Sequence, residues 1–336
     1  MVFMGGNMSD LQDDMNGAGA GGTLSARTCH EVTGILAVDK CSGPTSHDVV
    51  RSVRRILRQR RVGHCGTLDP AATGLLLICA GRYTRLADLL SNADKDYQAT
   101  IQLGATSDTY DGDGQVIPQT DAKDPGTERL YAAISRFRGR IMQVPPPFSA
   151  IRTHGVRSYV RARRGESVSL EARSITVHAI EVVDYHYPFL CIRVRCSKGT
   201  YIRSLAHDLG QCLGTGGYLR ALRRTRVGRI VESQALTLEE LQEASGRHAV
   251  HEHLIPATWA LDGFPQLTLA EAELTAFTQG RAVALEAPPE GAADLCLVLD
   301  RNGAFRGLGM IPETSDKVLP RKVIVPAGEP AVPTGD

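Results

Sequence analysis

The sequence predicts an α+β fold, and three observations support that prediction. Segments with strand-like alternation and segments with helical periodicity follow one another without a regular βαβ repeat. Two alternating segments, 175–186 and 189–200, are close enough in sequence to pair as neighbouring strands. Beyond about residue 245 the pattern changes to a short helix and short strands, which predicts a small second domain rich in β-structure.

The first half of the chain alternates strands with helices. A Gly-Pro turn follows the first apolar run, and Thr45 or Ser46 can cap the amphipathic helix that comes next. The pattern predicts a strand over 34–38, a buried strand or helix start over 74–80, a strand over 96–105 and a helix over about 127–138.

The second half contains two helix signals and a hairpin. The 3.6-residue periodicity of 200–214 predicts a helix that ends at Gly214. Residues 267–285 predict a short helix ending at Gly280 and then a strand. An Asn-Gly turn at 302–303 inside an apolar segment predicts a hairpin.

Composition narrows the class of protein. No apolar run approaches the roughly 20 residues that span a bilayer. Residues 1–29 are polar and rich in glycine, lack the pattern of a signal peptide, and are expected to form a disordered tail. The eight cysteines follow no zinc or disulfide spacing, so we expect free thiols in a cytoplasmic protein.

The net charge of +1 hides a strong asymmetry. Residues 31–230 contain 30 Lys and Arg against 18 Asp and Glu, whereas the rest contains 8 against 19. This asymmetry indicates a polyanionic partner for the larger domain. Arginine is concentrated in 51–61, 157–165 and 219–229, and its planar guanidinium suits bidentate phosphate contacts.

The segment GHCGTLDPAATG (63–74) combines turn residues with chemically reactive side chains. Its glycines and proline predict a tight turn, and three interpretations remain: a metal site, a nucleophile, or a turn alone. His64 and Cys65 lack a second pair at zinc-ligand spacing, so Cys65 is expected to be a small buried residue. Asp69 precedes a proline and is therefore held extended. DTYDGDG (108–114) has misplaced acids for a calcium loop and predicts an Asp-stabilised turn.

Five segments, in order, give this chain a specific resemblance. Residues 63–85 resemble the signature loop of the bacterial TruB family of tRNA pseudouridine synthases, and further similar segments follow at 95–114, 143–166, 196–210 and 219–228. The resemblance implies a pseudouridine synthase fold, with a mixed, mainly antiparallel sheet flanked by helices. Residues 267–283 and 305–311 are similar to the small PUA-like domain that ends many members.

The resemblance also implies roles for six residues. Asp69 matches the catalytic aspartate, and Arg203 matches the basic residue that pairs with it. His64 matches the residue that fills the space left by the extruded nucleotide. Tyr97 matches the aromatic residue that stacks on the target base, and Tyr201 and Leu222 match other residues that line the pocket.

The chain departs from the family pattern at three positions. Cys65 replaces the usual threonine, and Tyr83 and Arg85 replace a small residue and a lysine. Tyr83 needs extra room, whereas Arg85 keeps the charge. The isomerisation implied by the family needs no cofactor and no metal.

The predicted organisation is a tail at 1–29, a catalytic domain at 30–245, a PUA-like RNA-binding domain at 246–326 and a tail at 327–336. The implied substrate is tRNA, modified at the T-loop uridine of conventional position 55, by a monomer without protein partners. The basic, irregular stretch 145–165 is a candidate for a loop that orders on RNA binding. The alternatives are a non-enzymatic tRNA-binding or folding factor, the catalytic subunit of a guide-RNA complex, and a metal-dependent hydrolase, for which no second carboxylate accompanies Asp69.

Overall fold

The computed structural model describes residues 31–149, 152–153, 156–158, 161, 164, 170–286, 295–313 and 315–324. Both expected tails, 1–29 and 327–336, lie outside the described residues. So does much of 145–165, and the proposed ordering of that stretch stays a prediction.

The main sheet has nine strands in the described part of the chain, and every pairing except one is antiparallel. The exception joins Arg223 to Thr73 in a short parallel contact. From edge to edge the sheet contains β1 (Gly34–Lys40), β3 (Thr73–Ala80), β12 (Gly217–Val227), β4 (Lys95–Leu103), β11 (Phe189–Cys196), β10 (Arg173–His186) and β7 (Gly139–Gln143).

Six shorter strands are described in the same part of the chain: two of them belong to the main sheet, and the other four form two separate two-stranded sheets. Among them, β2 pairs with β3 and β13 pairs with β12. Their bounds are β2 (Val62–His64), β5 (Ala105–Ser107), β6 (Val116–Pro118), β8 (Arg152–Thr153), β9 (Val156–Arg157) and β13 (Ile230–Val231).

Thr45 caps the first helix, α1 (Ser46–Ile56). The Thr45 hydroxyl accepts a hydrogen bond from Asp48 N at 3.1 Å, and the Asp48 carboxylate accepts one from Thr45 N at 2.9 Å. The spacing of Val53, Ile56 and Leu57 predicts one buried face, and the structure buries Val53 and Leu57 and partly buries Ile56. The other helices of this part are α2 (Ala87–Ser91), α3 (Thr127–Ser135), α4 (Ile202–Leu213), α5 (Leu238–Gly246) and α6 (Ala257–Ala260).

Helix α4 packs closely against β12. Gly214 ends the helix with φ +75°, as predicted. A Cβ at Gly210 would lie 2.2 Å from Gly217 N, so only glycine permits this approach. The last turn of the helix is therefore held directly against the start of β12.

The last part of the chain forms a five-stranded sheet with its own small core. Asn302 and Gly303 lie in the turn of the predicted hairpin, and the helix ends at Thr278, two residues before Gly280. The elements are β14 (Gln266–Thr268), α7 (Glu271–Thr278), β15 (Val283–Ala284), β16 (Cys296–Leu299), β17 (Phe305–Met310) and β18 (Lys317–Val323).

Two of the three family departures lie where this sheet meets the rest of the chain. The Tyr83 ring stacks on Phe305 with centroids 5.9 Å apart. Arg85 Nη1 donates to Val323 O at 2.9 Å. The extra room that Tyr83 requires is therefore provided by the C-terminal sheet.

The predicted α+β class and mainly antiparallel sheet are confirmed, while the domain boundary at 245/246 stays a prediction. Ile255 lies beyond that boundary and bridges to Ile35 in β1. Among the described residues, no helix is both long and apolar enough to cross a bilayer.

Candidate active site

Asp69 lies on the loop that joins β2 to β3, which we call the aspartate loop (Gly63–Gly74). The tight turn is confirmed: Ala72 N donates to Asp69 O at 3.1 Å, and Gly74 has φ +96°. A Cβ at Gly74 would meet Arg224 O at 2.3 Å, so the glycine is required by both conformation and space. The Asp69 side chain is 40% exposed, so its carboxylate remains accessible.

Two buried side chains hold this loop against β1 and α1. The Lys40 ammonium, 1% exposed, donates to Pro70 O at 2.9 Å and to Ala72 O at 2.5 Å. The Ser46 hydroxyl donates to Leu68 O at 3.0 Å and accepts from Leu68 N at 2.8 Å. Because the carbonyls on both sides of Asp69 are fixed, the aspartate has little freedom to move.

A third buried side chain, Arg224 of β12, supports the loop from the sheet. Arg224 is 1% exposed, and its guanidinium donates to Leu75 O at 2.7 Å, Gly66 O at 3.2 Å and Thr67 O at 3.4 Å. These contacts satisfy a buried cation with backbone carbonyls. Sequence analysis missed Lys40, Ser46 and Arg224 as supports of the site.

Arg203 of α4 pairs with Asp69. Its Nη2 donates to Asp69 Oδ1 at 3.2 Å, and its Nε lies 3.0 Å from Oδ2 at an angle that makes an ion pair without a hydrogen bond. Arg203 also contacts Asp111 Oδ2 at 3.4 Å, Thr109 O at 3.3 Å and Phe148 O at 3.0 Å. The pairing implied by the resemblance is present in the structure, and Asp111 is an additional member that sequence analysis missed.

The pKa of Asp69 is raised above its usual range. Burial is the main cause, and the carboxylates of Asp111 and Asp113 add to it. Arg203 opposes this shift, as expected, but does not cancel it. Since the side chain is 40% exposed, water limits the shift. Deprotonation of Asp69 therefore requires a higher pH than that of an ordinary aspartate.

Tyr97 and Tyr201 lie near this pair, and Leu222 lies on β12, two residues before Arg224. Tyr97, 9% exposed, pairs in register with Arg224 on β12, and burial raises the pKa of its hydroxyl, with Asp69 among the contributing charges. Burial likewise raises the pKa of the Tyr201 hydroxyl; Arg203 lowers this pKa, and Asp69 raises it. Leu222 packs against the core cluster that contains Tyr97. Tyr97 and Tyr201 therefore lie close enough to Asp69 to interact with its charge, whereas the role of Leu222 in the pocket stays a prediction.

Gln143 fixes the backbone of Tyr201 at the start of α4. Its side-chain amide donates to Tyr201 O at 3.0 Å and accepts from Tyr201 N at 2.9 Å. Gln143 is 2% exposed, so these bonds are shielded from water. This is a further support that sequence analysis did not identify.

His64 and Cys65 lie at the start of the loop. Burial is the first cause that lowers the pKa of His64, followed by His47 and Arg224, so its imidazole is neutral near pH 7. Its Nδ1 is buried and has no hydrogen-bond partner among the described residues. Cys65 is fully buried, with its Sγ 3.3 Å from Cys79 Sγ, which confirms its predicted burial.

The metal interpretations find no support in the described residues, where no three metal-ligating side chains cluster. The acidic segment at 108–114 forms the predicted turn: Asp108 Oδ1 accepts from Gln115 N at 2.7 Å. Asp111 Oδ1 accepts from Asp113 N at 3.1 Å. These carboxylates stabilise the turn from within.

The arginines of 219–229 are largely neutralised by carboxylates. Arg223 contacts Asp39 at 2.8 and 3.1 Å and Glu232 at 2.6 Å. Arg226 Nη2 donates to Asp96 Oδ1 at 2.7 Å, and Arg226 Nε donates to Asp96 Oδ2 at 2.8 Å. The guanidinium groups of these two arginines therefore already have acceptors within the protein, and phosphate binding by this segment stays a prediction.

The arginines that follow α1 have different surroundings. We define the arginine ridge as Arg55, Arg58, Arg60, Arg61 and Arg82, all of them exposed. Within the described ranges, none of these five contacts a carboxylate. Arg61 O accepts from Gly81 N at 2.7 Å, which places Arg82 beside the ridge residues of the earlier segment. The ridge lies at one end of β2 and the aspartate loop at the other.

Two family models match the chain. The TruB family pseudouridylate synthase (N terminal domain) matches residues 54–202. The tRNA pseudouridylate synthase B C-terminal domain matches residues 203–262. The first match contains Asp69 and Tyr97, and the second contains Arg203.

The chain is also similar to curated proteins over most of its length. It is 41% identical to tRNA pseudouridine synthase B of Azoarcus sp. (strain BH72), over 83% of this chain and 91% of that protein. It is 38% identical to the protein of the same name from Pseudomonas putida (strain GB-1), over 89% of this chain and 97% of that protein.

Chains of two solved complexes have a similar fold. A chain of the Cbf5-Nop10-Gar1 complex aligns with a TM-score of 0.70 and 27% identity, covering 88% of this chain and 85% of that chain. A chain of an H/ACA RNP bound to a substrate RNA containing 2'-deoxyuridine aligns with a TM-score of 0.68 and 26% identity, covering 88% and 86%. Together with the site geometry and the curated relatives, these matches show that the chain belongs to the TruB family of pseudouridylate synthases.

Proposed function

We propose that this protein converts uridine to pseudouridine in tRNA, at the T-loop uridine of conventional position 55, with Asp69 as the catalytic residue. The observation that carries the proposal is the Asp69–Arg203 pair on a loop fixed by Lys40, Ser46 and Arg224. Such rigidity suits a carboxylate that acts on one atom of an extruded nucleotide. The curated relatives named tRNA pseudouridine synthase B support tRNA as the substrate.

The reaction is an isomerisation. The C1′–N1 bond of uridine breaks, the detached uracil turns, and C5 bonds to C1′; the proton on C5 leaves, and N1 gains one. Asp69 serves either as a nucleophile toward the nucleotide or as a base, and both routes require the ionised carboxylate. Arg203 favours that ionised form and holds it in position.

The target base must leave the RNA loop before it reaches Asp69. Extrusion costs a few kcal/mol. Stacking on an aromatic ring returns roughly 1–3 kcal/mol per base, and we assign that role to Tyr97. We assign His64 to the space that the nucleotide vacates in the RNA, since its neutral ring avoids a buried charge.

The arginine ridge supplies the RNA-binding surface in this proposal. Its five guanidinium groups are exposed, have no carboxylate partners among the described residues, and lie one short strand from the aspartate loop. Phosphate contacts by such groups make affinity fall with salt. A folded T arm is then recognised mainly through its shape and backbone.

A second candidate function is catalysis within a guide-RNA complex. The observation that favours it is the structural similarity to a chain of an H/ACA RNP bound to a substrate RNA. Identity is higher, 38–41%, with the curated tRNA pseudouridine synthase B proteins, so we prefer an enzyme that acts as a monomer without partners. Its cytoplasmic location stays a prediction from sequence.

The test is tritium release from C5-labelled uridine in a T-arm hairpin, with no guide RNA and no other protein. We expect release by the full-length protein and none from a hairpin whose position-55 uridine is replaced by cytidine. Absence of release without guide RNA, together with release in a reconstituted guided complex, would favour the second candidate. Tight hairpin binding without release in any format would favour a non-enzymatic factor.

A further inference from the structure

A turn that faces Arg203 is held by an aromatic stack outside the set of predicted site residues. The Tyr110 ring lies against the imidazole of His207, with centroids 3.8 Å apart and an interplanar angle of 9°. His207 is four residues after Arg203 on α4, so both side chains lie on the same face of that helix. The stack therefore lies one helical turn from the catalytic pair.

The same turn presents two acceptors to Arg203. Thr109 O lies 3.3 Å and Asp111 Oδ2 lies 3.4 Å from Arg203 Nη1. The other oxygen of Asp111 accepts from the Thr109 hydroxyl at 2.5 Å and from Asp113 N at 3.1 Å. The Asp111 carboxylate is thus oriented within its own turn, with one oxygen left for Arg203.

Tyr110 occupies an unusual backbone conformation to achieve this. Its φ is +64°, a left-handed value that bulky side chains rarely adopt. Tyr110 N donates to Ser107 O at 3.2 Å, and Tyr110 O accepts from Leu219 N at 3.0 Å, which ties the turn to β12. A strained residue persists only where its surroundings fix it, and here the ring stack is one of those constraints.

We propose that Tyr110 and His207 are positioning residues whose stacked rings fix the Thr109–Asp111 turn against Arg203 and thereby orient the Asp69 carboxylate. This inference rests on the proposed function of Asp69 and deepens it. Neither ring touches the uridine in this proposal. Their effect passes through the turn to Arg203, and from Arg203 to Asp69.

The chemistry of the two rings fits a neutral stack. Burial lowers the pKa of His207, so the imidazole is uncharged near pH 7. Its Nδ1 is buried and makes no hydrogen bond to the described residues. We therefore assign stacking on Tyr110 as the role of the His207 ring. Another aromatic side chain at position 207 should keep this contact. The ionisable neighbour of Tyr110 is Asp208, whose pKa burial raises to about 6.

The experiment compares Tyr110→Ala with Tyr110→Phe in single-turnover assays on tRNA. We expect Tyr110→Ala to lower the rate constant about tenfold, with tRNA affinity within about twofold, because the active geometry is lost while the RNA surface is intact. Tyr110→Phe keeps the ring and is expected to stay within about twofold of the parent protein.

The pH profile separates positioning from a merely structural role. The charged groups that act on the pKa of Asp69 are Arg203, which lowers it, and Asp111 and Asp113, which raise it. Lys40, Tyr97 and Tyr201 also interact with the Asp69 carboxylate, and the substitutions leave them unchanged. When Arg203 is released, the acid limb of the rate profile should move to higher pH in Tyr110→Ala and stay in place in Tyr110→Phe. His207→Leu and His207→Phe form a second pair with the same expected contrast, in case Tyr110→Ala does not fold.

A loss of tRNA affinity with an unmoved acid limb would overturn the inference, as would a parent-like rate in Tyr110→Ala. Unfolding midpoints of all four variants identify any variant that is not folded at the assay temperature. If the parent protein itself fails to modify tRNA, the proposed function fails. If the parent is active and the alanine and leucine variants match it, only the positioning role fails.

Discussion

Two arginine-rich segments of similar density, 51–61 and 219–229, differ in the surroundings of most of their arginines. In the second segment, Arg223 and Arg226 contact carboxylates and Arg224 is enclosed by backbone carbonyls. In the first segment, Arg51 pairs with Asp48, but the four ridge arginines Arg55, Arg58, Arg60 and Arg61 are exposed and meet no carboxylate among the described residues. The difference teaches that arginine density alone does not identify an RNA-binding surface; the partners of each guanidinium do.

The cause of the difference is position in the fold. Strand β12 lies inside the sheet, between β3 and β4. Its arginines reach Asp96 on β4, Leu75 O on β3 and Asp39 on β1. The ridge follows the end of α1, where the chain turns at the surface. An arginine in the interior must be satisfied by the protein, whereas an arginine on an exposed turn remains available to an anion.

The largest effect is expected at Arg224, the buried arginine of the second segment. Arg224→Met should lower the free energy of unfolding by about 3 kcal/mol, because it leaves buried carbonyls of the aspartate loop without donors. Urea denaturation measures this. Arg220→Met is the matched control: it lies on the same strand but is exposed, and a change within about 0.5 kcal/mol is expected. Equal losses in both variants would contradict the structural role of Arg224.

Next in size is the effect of changing the catalytic-site arginine. Arg203→Lys keeps the charge but loses the fork that reaches Asp69, Asp111 and two backbone carbonyls. Single-turnover rates should fall about a hundredfold, while tRNA affinity changes little. A variant with normal rate and weakened binding would place Arg203 among the RNA-binding arginines instead.

The smallest effect is expected at the ridge. Replacing Arg58 and Arg60 by glutamine should weaken tRNA binding about tenfold at low salt. The slope of log affinity against log salt concentration should become less steep by about one to two. The rate of the bound complex should not change. Fluorescence titrations across a salt series measure the slope.

A matched double variant tests the ridge interpretation. Arg223→Gln with Arg226→Gln also removes two charges, but from arginines already paired with Asp39 and Asp96. Its salt slope should stay that of the parent, provided that melting shows it folded. If this variant flattens the slope as much as the ridge variant does, the contrast between the segments is wrong.

Local sequence signals predicted the elements well. The Thr45 cap, the end of α4 at Gly214 and the pairing of β10 with β11 were all visible because each depends on neighbouring residues. Asp69 and Arg203 were identified through the resemblance, and the structure places them in contact.

The supports of the site were not predictable from sequence. Arg224 contacts Gly66 across 158 positions, and Arg223 contacts Asp39 across 184. Lys40 and Ser46 reach the loop from β1 and α1, in contacts set by tertiary packing and not by spacing. The stack of Tyr110 on His207 is likewise created by tertiary packing.

The central claim is that Asp69 performs the chemistry while the arginines position it and bind the RNA. The most direct test is Asp69→Asn in a single-turnover assay with enzyme in excess over C5-tritiated tRNA, paired with a binding titration. The substitution keeps the size of the side chain and removes its charge. We predict tRNA affinity within about twofold of the parent and tritium release slower by about a thousandfold or more. Release at the parent rate by a correctly folded Asp69→Asn protein would contradict the claim.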